Sequence, residues 1–245
     1  MNGFIKIFCA SLAVSLSIMA FAPAAVAADF TEEVPEVIVT PPAVGGWYLR
    51  GDIGYSWNRF KHADYATSPC TSNCGSSVFE NNTISGDLKG SFLIGGGVGY
   101  QVTDYFRTDL TLDYMARSKF AGERDESHMS GLSLLANAYV DLGNFAGVTP
   151  YLGAGIGGTR VKWADVVDTQ NNDVYSGDAN WRFTYALMAG ASVDLTHNLK
   201  LDAGYRYRHI NGGKMFEGNP TIGNGYDKGM NVHDIRVGLR YMFGG

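Results

Sequence analysis

The chain has 245 residues, a formal charge of -5 and 18% charged side chains, with 32 Gly, 14 Tyr and 13% aromatics. The acidic balance excludes a nucleic-acid partner, which needs a basic stripe or patch. Beyond the N-terminus no run approaches the roughly 20 apolar residues of a membrane-spanning helix, which excludes a helical bundle in a membrane.

Residues 1–27 read as a signal peptide. Lys6 supplies the positive start, an apolar stretch runs from Ile7 to about Phe21, and Ala25-Val26-Ala27 has the small-x-small form of a cleavage site. A single transmembrane anchor is the weaker reading, because the stretch is short and a cleavage pattern follows it. Residues 28–45 are an acidic lead with Asp29, Glu32, Glu33, Glu36 and Pro41-Pro42, expected as a periplasmic tail. Cys9 leaves with the signal. Cys70 and Cys74 remain, and an oxidising compartment favours a small local disulfide between them. A metal site is the weaker alternative, since no matching His/Cys set lies nearby.

From Trp47 onward the hydrophobic period is two, the period of strands. Eight segments follow in order: 47–58, 91–101, 106–116, 129–142, 149–161, 181–195, 199–209 and 232–243. In the third, Phe106, Leu110, Leu112 and Tyr114 oppose Arg107, Asp109 and Asp113. In the seventh, Leu199, Leu201, Tyr205 and Tyr207 oppose Lys200, Asp202, Arg206 and Arg208. Short connections fall at 102–105, 143–148 and 196–198, and long ones at about 59–90, 117–128, 162–180 and 210–231. That alternation is the loop asymmetry of membrane barrels, with both ends on the short-turn side. Residues 46–245 are therefore expected to form an all-β, eight-stranded antiparallel up-and-down transmembrane β-barrel in the outer membrane of a Gram-negative bacterium.

A soluble sandwich also alternates, but two features oppose it. Aromatics cluster at segment ends: Trp57, Tyr55, Tyr114, Phe92, Trp181, Phe183 and Tyr207 toward the long loops, and Trp47, Tyr100, Phe106, Tyr241 and Phe243 toward the short turns. Those are two girdles, as at two membrane interfaces. Ionisable groups on the apolar faces reduce to Arg160 and His233, both near long-loop ends. A midplane Arg or Lys facing lipid would cost about 2–4 kcal/mol.

The opposite parity holds Arg50, Arg107, Arg182, Lys200, Arg206, Arg208, Arg236 and Arg240, with Asp52, Asp109, Asp113, Asp141, Asp194, Asp202 and Asp234. An eight-stranded barrel is just wide enough for side chains to fill, so these groups should pair and block the lumen. A narrow water-lined pore is the competing reading, favoured by inward Gly95, Gly97, Gly99, Gly153, Gly155 and Gly157, which leave space.

No enzyme and no cofactor are expected. His128 beside Asp125, Glu126, Ser130 and Ser133 is the strongest catalytic grouping, but a solvated loop explains it better. Heme ligation by His62, Tyr65, His209 and Met215 is the weaker cofactor alternative.

Gly46-Trp47-Tyr48-Leu49-Arg50-Gly51-Asp52-Ile53-Gly54-Tyr55, Thr149-Pro150-Tyr151-Leu152-Gly153-Ala154-Gly155-Ile156-Gly157 and Leu201-Asp202-Ala203-Gly204-Tyr205-Arg206-Tyr207 resemble strands of the small alphaproteobacterial outer-membrane proteins. That family includes surface antigens, hemin-binding relatives and opacity-like porins. The resemblance covers 47–243 and implies a role in envelope integrity and surface interaction, through four outer loops. It also implies, as the alternative, a small porin-like or hemin-binding protein. The expected partners are outer-membrane lipid and lipopolysaccharide, the barrel assembly machinery and host-surface ligands. Such barrels end on an aromatic residue, whereas this chain runs Gly244-Gly245 past Phe243. Truncation after Phe243 should leave the folded fraction in membranes unchanged, read as heat-modifiable gel migration; a strong gain would show the tail to be an impediment.

Overall fold

The structure is a computed structural model that describes residues 45–67, 80–122, 125–168, 173–218 and 223–243. The expected signal peptide, most of the tail, the Cys70–Cys74 disulfide and Gly244-Gly245 lie outside the described residues.

Eight long strands carry the wall: β1 (Gly46–Phe60), β5 (Ser91–Gln101), β6 (Phe106–Gly122), β7 (Asp125–Asp141), β8 (Val148–Trp163), β11 (Ala179–Asp194), β12 (Leu199–Ile210) and β15 (Met230–Met242). Seven short ones lie in the connections at the long-loop end: β2 (Ala63–Thr67), β3 (Glu80–Ile84), β4 (Gly86–Leu88), β9 (Val166–Asp168), β10 (Val174–Tyr175), β13 (Gly213–Phe216) and β14 (Gly225–Asp227). Each long strand pairs antiparallel with its chain neighbour, and β1 pairs with both β5 and β15. The sheet therefore closes and leaves no edge.

Closure sorts the side chains by parity. Ile53, Phe92, Ile94, Ile156 and Trp181 all stand exposed on the outer wall. A water-soluble protein does not expose a contiguous apolar band of this extent. Aromatic contacts gather at both rims of the band. Trp47 meets Tyr100 edge-on across β1 and β5 at 5.3 Å, Tyr55 meets Phe92 across the same pair at 5.4 Å, and Tyr241 meets Phe243 along one segment at 5.3 Å.

Inside, glycine and bulk alternate across neighbouring strands. A Cβ at Gly99 would collide with the Tyr48 ring, one at Gly153 with the Tyr139 ring, and one at Gly155 with the Asn137 amide. Of the inward glycines expected to leave room for a pore, Gly95, Gly97, Gly99, Gly153 and Gly155 have neighbouring side chains reaching over them, and Gly157 lies against the backbone of Leu134.

The long-loop end departs from the sequence expectation. The loop placed at 117–128 is mostly strand, because β6 runs to Gly122 and β7 starts at Asp125. A β-bulge between Met115 and Ser118 hid it. One extra residue shifts the parity, so a period-two reading stops there although the strand continues. Described parts of the first and last long connections also form strands: β13, β14, β2 and β3 make a second, four-stranded sheet. Its inner face presents Ala63, Ile84, Met215 and Phe216, all buried.

Ile156 tests the wall. Substituting Ile156→Arg should cost about 2–4 kcal/mol of unfolding free energy from lipid vesicles. A neutral result in urea titration would mean that this position does not face lipid.

Candidate functional site

The interior holds two stacked closures. Nearest the short turns is a polar one. Six guanidinium groups, of Arg50, Arg107, Arg206, Arg208, Arg236 and Arg240, meet six carboxylates, of Asp52, Asp109, Asp113, Asp141, Asp202 and Asp234, and a seventh pair, Arg182 with Asp227, lies at the long-loop end. Equal numbers matter, because an uncompensated charge here would have no water to stabilise it.

The pairing follows strand order. Arg240 donates to Asp202 at 3.1 Å and to Ser192 at 2.9 Å, and Ser192 also bonds Asp202. Arg107 donates to Asp141 at 3.1 Å, with its guanidinium 4.2 Å from the Tyr139 ring centre and 4.8 Å from that of Tyr151. Such flat contacts favour Arg over Lys. Arg50 spans Asp52 at 2.7 Å and Asp109 at 2.9 Å, and Asn137 donates to Asp109 at 2.7 Å.

Deeper toward the long loops, Asp113 accepts from Arg206 at 2.6 Å and from Arg236 at 2.7 Å. Asp234 accepts from Arg206 at 2.8 Å and from Ser56 at 2.6 Å. Arg208 Nη1 donates to Ser133 at 2.8 Å, while its Nε lies 2.9 Å from Asp234 without hydrogen-bond alignment. The gap bounded by Arg50, Asp52, Tyr139, Tyr151 and Arg236 is about 20 Å³, room for about one water.

Lys200 and Asp194, expected in the lumen, pair at 2.5 Å on the half-exposed short-turn rim. Their strands end there, so the side chains reach water. Arg182 takes a partner that periodicity did not supply. It donates to Asp227 of β14 at 2.6 and 2.8 Å and to the Lys214 carbonyl at 2.9 Å. This fork ties the last long connection into the wall.

Above the polar closure lies an apolar one. Phe60, Phe120 and Trp163 meet edge-to-face at 5.1, 5.6 and 5.8 Å. Met115, Met129, Val161, Ile210, Met215, Phe216, Met230 and Val232 pack about them. The sequence reading missed this layer. Its signal was present: on β8 the inward parity changes from Gly153, Gly155, Gly157 and Thr159 to Val161 and Trp163.

The cap sheet roofs this layer and turns a polar face outward. Asp64, Tyr226 and Lys214 share one cross-strand row. Lys228 bonds Asp64 at 3.1 Å and Lys214 bonds Glu217 at 2.8 Å. Hydrogen bonding from Lys228 holds the Asp64 carboxyl below the usual range, and the Glu217 contact raises the Lys214 ammonium. Tyr226 and Val174 stand exposed.

The remaining candidates separate. His128 faces outward on β7, while Ser133 faces inward and bonds Thr159 at 2.9 Å. The catalytic grouping therefore spans two faces of one sheet. His209 bonds Asn231 at 2.7 Å on the outer wall, and Met215 is buried in the apolar layer. Tyr65 packs on Phe216 from the cap, and His62 lies 3.8 Å from Asp64. These four are not arranged as one heme-ligand set.

A model of the outer membrane protein beta-barrel domain matches residues 10–243. An uncharacterized Brucella abortus protein is 36% identical over 96% of this chain and 98% of its own length. A candidate adhesin of Rickettsia bellii is 29% identical over 80% of this chain and 87% of its own. The crystal structure of the outer membrane protein OprG from Pseudomonas aeruginosa superposes with a TM-score of 0.51 at 13% identity, over 81% of this chain and 96% of that one.

Asp113 is the network's junction. Asp113→Asn would leave Arg206 with Asp234 and Arg236 with Asp52 as their remaining carboxylates, one negative charge short in a buried network, and should cost about 3–5 kcal/mol in urea unfolding. A loss below about 1 kcal/mol, the worth of an exposed pair, would show that water reaches the lumen.

Proposed function

Because this chain belongs to the outer membrane protein β-barrel family, we propose that it is a sealed anchor whose function is surface interaction by the cap at its long-loop end. The protein resides in the Gram-negative outer membrane. The observation that carries the proposal is the double closure. A charge-balanced polar layer and an aromatic layer fill the same lumen in series. A solute path would have to break both.

The cap supports the same reading. A binding surface gains affinity when it is ordered before its partner arrives. Here two loops distant in sequence share one sheet, and Arg182 pins it to the barrel. The exposed Tyr226, set among alternating charges, has the amphipathic character of an interface anchor. The Rickettsia bellii relative, whose name proposes adhesion, points the same way. Contribution to envelope integrity follows from the barrel itself, which the assembly machinery inserts and which lipid then surrounds.

Wild-type protein in planar bilayers should give no steady conductance; persistent open channels would sink the sealed reading and favour a small porin. Cells expressing Tyr226→Ala should lose several-fold in attachment to host-cell surfaces at equal surface level. Unchanged attachment would remove the cap from the interaction.

A further inference from the structure

The outer wall carries a feature that neither the lumen nor the cap uses. An open groove of about 700 Å³ crosses β15, β1, β5 and β6, lined by Tyr55, Trp57, Phe92, Tyr114, Ala116 and Ile235 among others. β5 begins at Ser91, opposite Ser56, and beyond it Lys89-Gly90 and β4 carry the wall on between β1 and β6. The groove is therefore a depression in the outer face of a continuous wall, floored by residues without bulk such as Gly54 and Ala116. In the row of Tyr55 and Phe92 the next strand supplies only Ala116, which deepens the groove.

Cations stand on the long-loop side of the groove, exposed Lys89 of the link between β4 and β5 among them. Arg59 on β1 and Arg117 on β6 are exposed, and Lys61 follows Arg59. Arg117 faces out because of the bulge, which sets Ala116 and Arg117 side by side before Ser118 turns inward. Without the extra residue its parity would aim it into the aromatic layer. Bulges often re-aim a side chain in this way. Among the described residues Arg59, Lys61 and Arg117 make no ion pair, whereas neighbouring Lys119 is held by Glu126 at 3.0 Å. Exposed Asp87 of β4 stands opposite Ala121, farther toward the long loops than Arg117. One strand separates β1 from β6, so the two lie about 10 Å apart, and Arg59 stands about 10 Å farther toward the long loops than Arg117. Two long Arg side chains extended toward each other can span that offset to one shared phosphate.

We propose that the groove and the guanidinium groups above it form one site for a phosphorylated, acylated glycolipid of the outer leaflet, the lipid portion of lipopolysaccharide. An acyl chain lies in the groove. A phosphate sits between Arg59 and Arg117, each able to bind it with a planar fork. The leaflet selects the source, because the groove and its cations lie toward the long-loop end, where the surrounding lipid is phosphorylated glycolipid. The site rests on the membrane location and not on the sealed lumen, so the two stand or fall separately.

The test uses the full mature chain refolded in detergent without lipid, its folding checked by heat-modifiable migration. Purified lipopolysaccharide and, separately, phosphatidylglycerol are titrated and bound lipid is read by native mass spectrometry. The double variant Arg59→Gln, Arg117→Gln should weaken lipopolysaccharide binding at least ten-fold. Ala116→Phe, which fills the groove and leaves the charge intact, should weaken it several-fold. The pair Arg160→Gln, Lys162→Gln on β8 should change it less than two-fold. Equal losses from the β8 pair would reduce the site to a general cationic collar and overturn the proposal. So would phosphatidylglycerol binding of equal strength, or no effect of Ala116→Phe.

Discussion

In hydrocarbon every backbone donor and acceptor must pair within the protein. β1 meets that demand on both sides, against β15 and β5. Closing with eight strands sets a narrow interior, and a narrow interior must be filled. The side chains facing inward are then committed to one another. Opposed charges, stacked rings and glycines under large neighbours are three solutions to one packing problem.

The two fillings differ because their surroundings differ. In the middle of the barrel the wall supplies alternate residues only, and Arg with Asp reach across the lumen to join strands far apart in sequence. Arg206 and Asp113 are 93 positions apart, Arg236 and Asp113 123. At the long-loop end the strands rise past the apolar outer band and the connections fold back over them. Apolar groups from wall and loop can meet there without polar partners, so Phe60, Phe120 and Trp163 form a small conventional core. The cap sheet is the lid of that core, and its order follows from having something to bury.

This arrangement separates the groups that hold the barrel together from those that face its surroundings. The lumen network and the aromatic layer hold the barrel and present nothing to solvent. The cap's outer face and the flanking cations outside the wall present polar groups and bury little. Substitutions on the outside therefore carry a small cost in stability, as expected where a rigid scaffold carries variable surfaces.

Strand parity, closure and the segregation of charge inward were legible in the sequence because period two survives wherever one face meets lipid. Ile53, Leu112, Ile156 and Val237 against Asp52, Asp113 and Arg236 are plain in one dimension. The partner of each Arg was not, because parity says that a side chain points inward and says nothing of register across the lumen. Arg182 found Asp227 in a loop with no periodicity to read. The bulge at Ala116 and Arg117 broke the pattern at the point where the strand continued, so a hairpin read as a loop. The aromatic layer was written in the inward parity of Val161 and Trp163, but only folding brought Phe60, Phe120 and Trp163 from three strands to one place. The sequence by itself determined which way each strand's side chains face, through the solvent on either side; tertiary structure alone decided which of them meet, because that depends on distances between strands that no local pattern encodes.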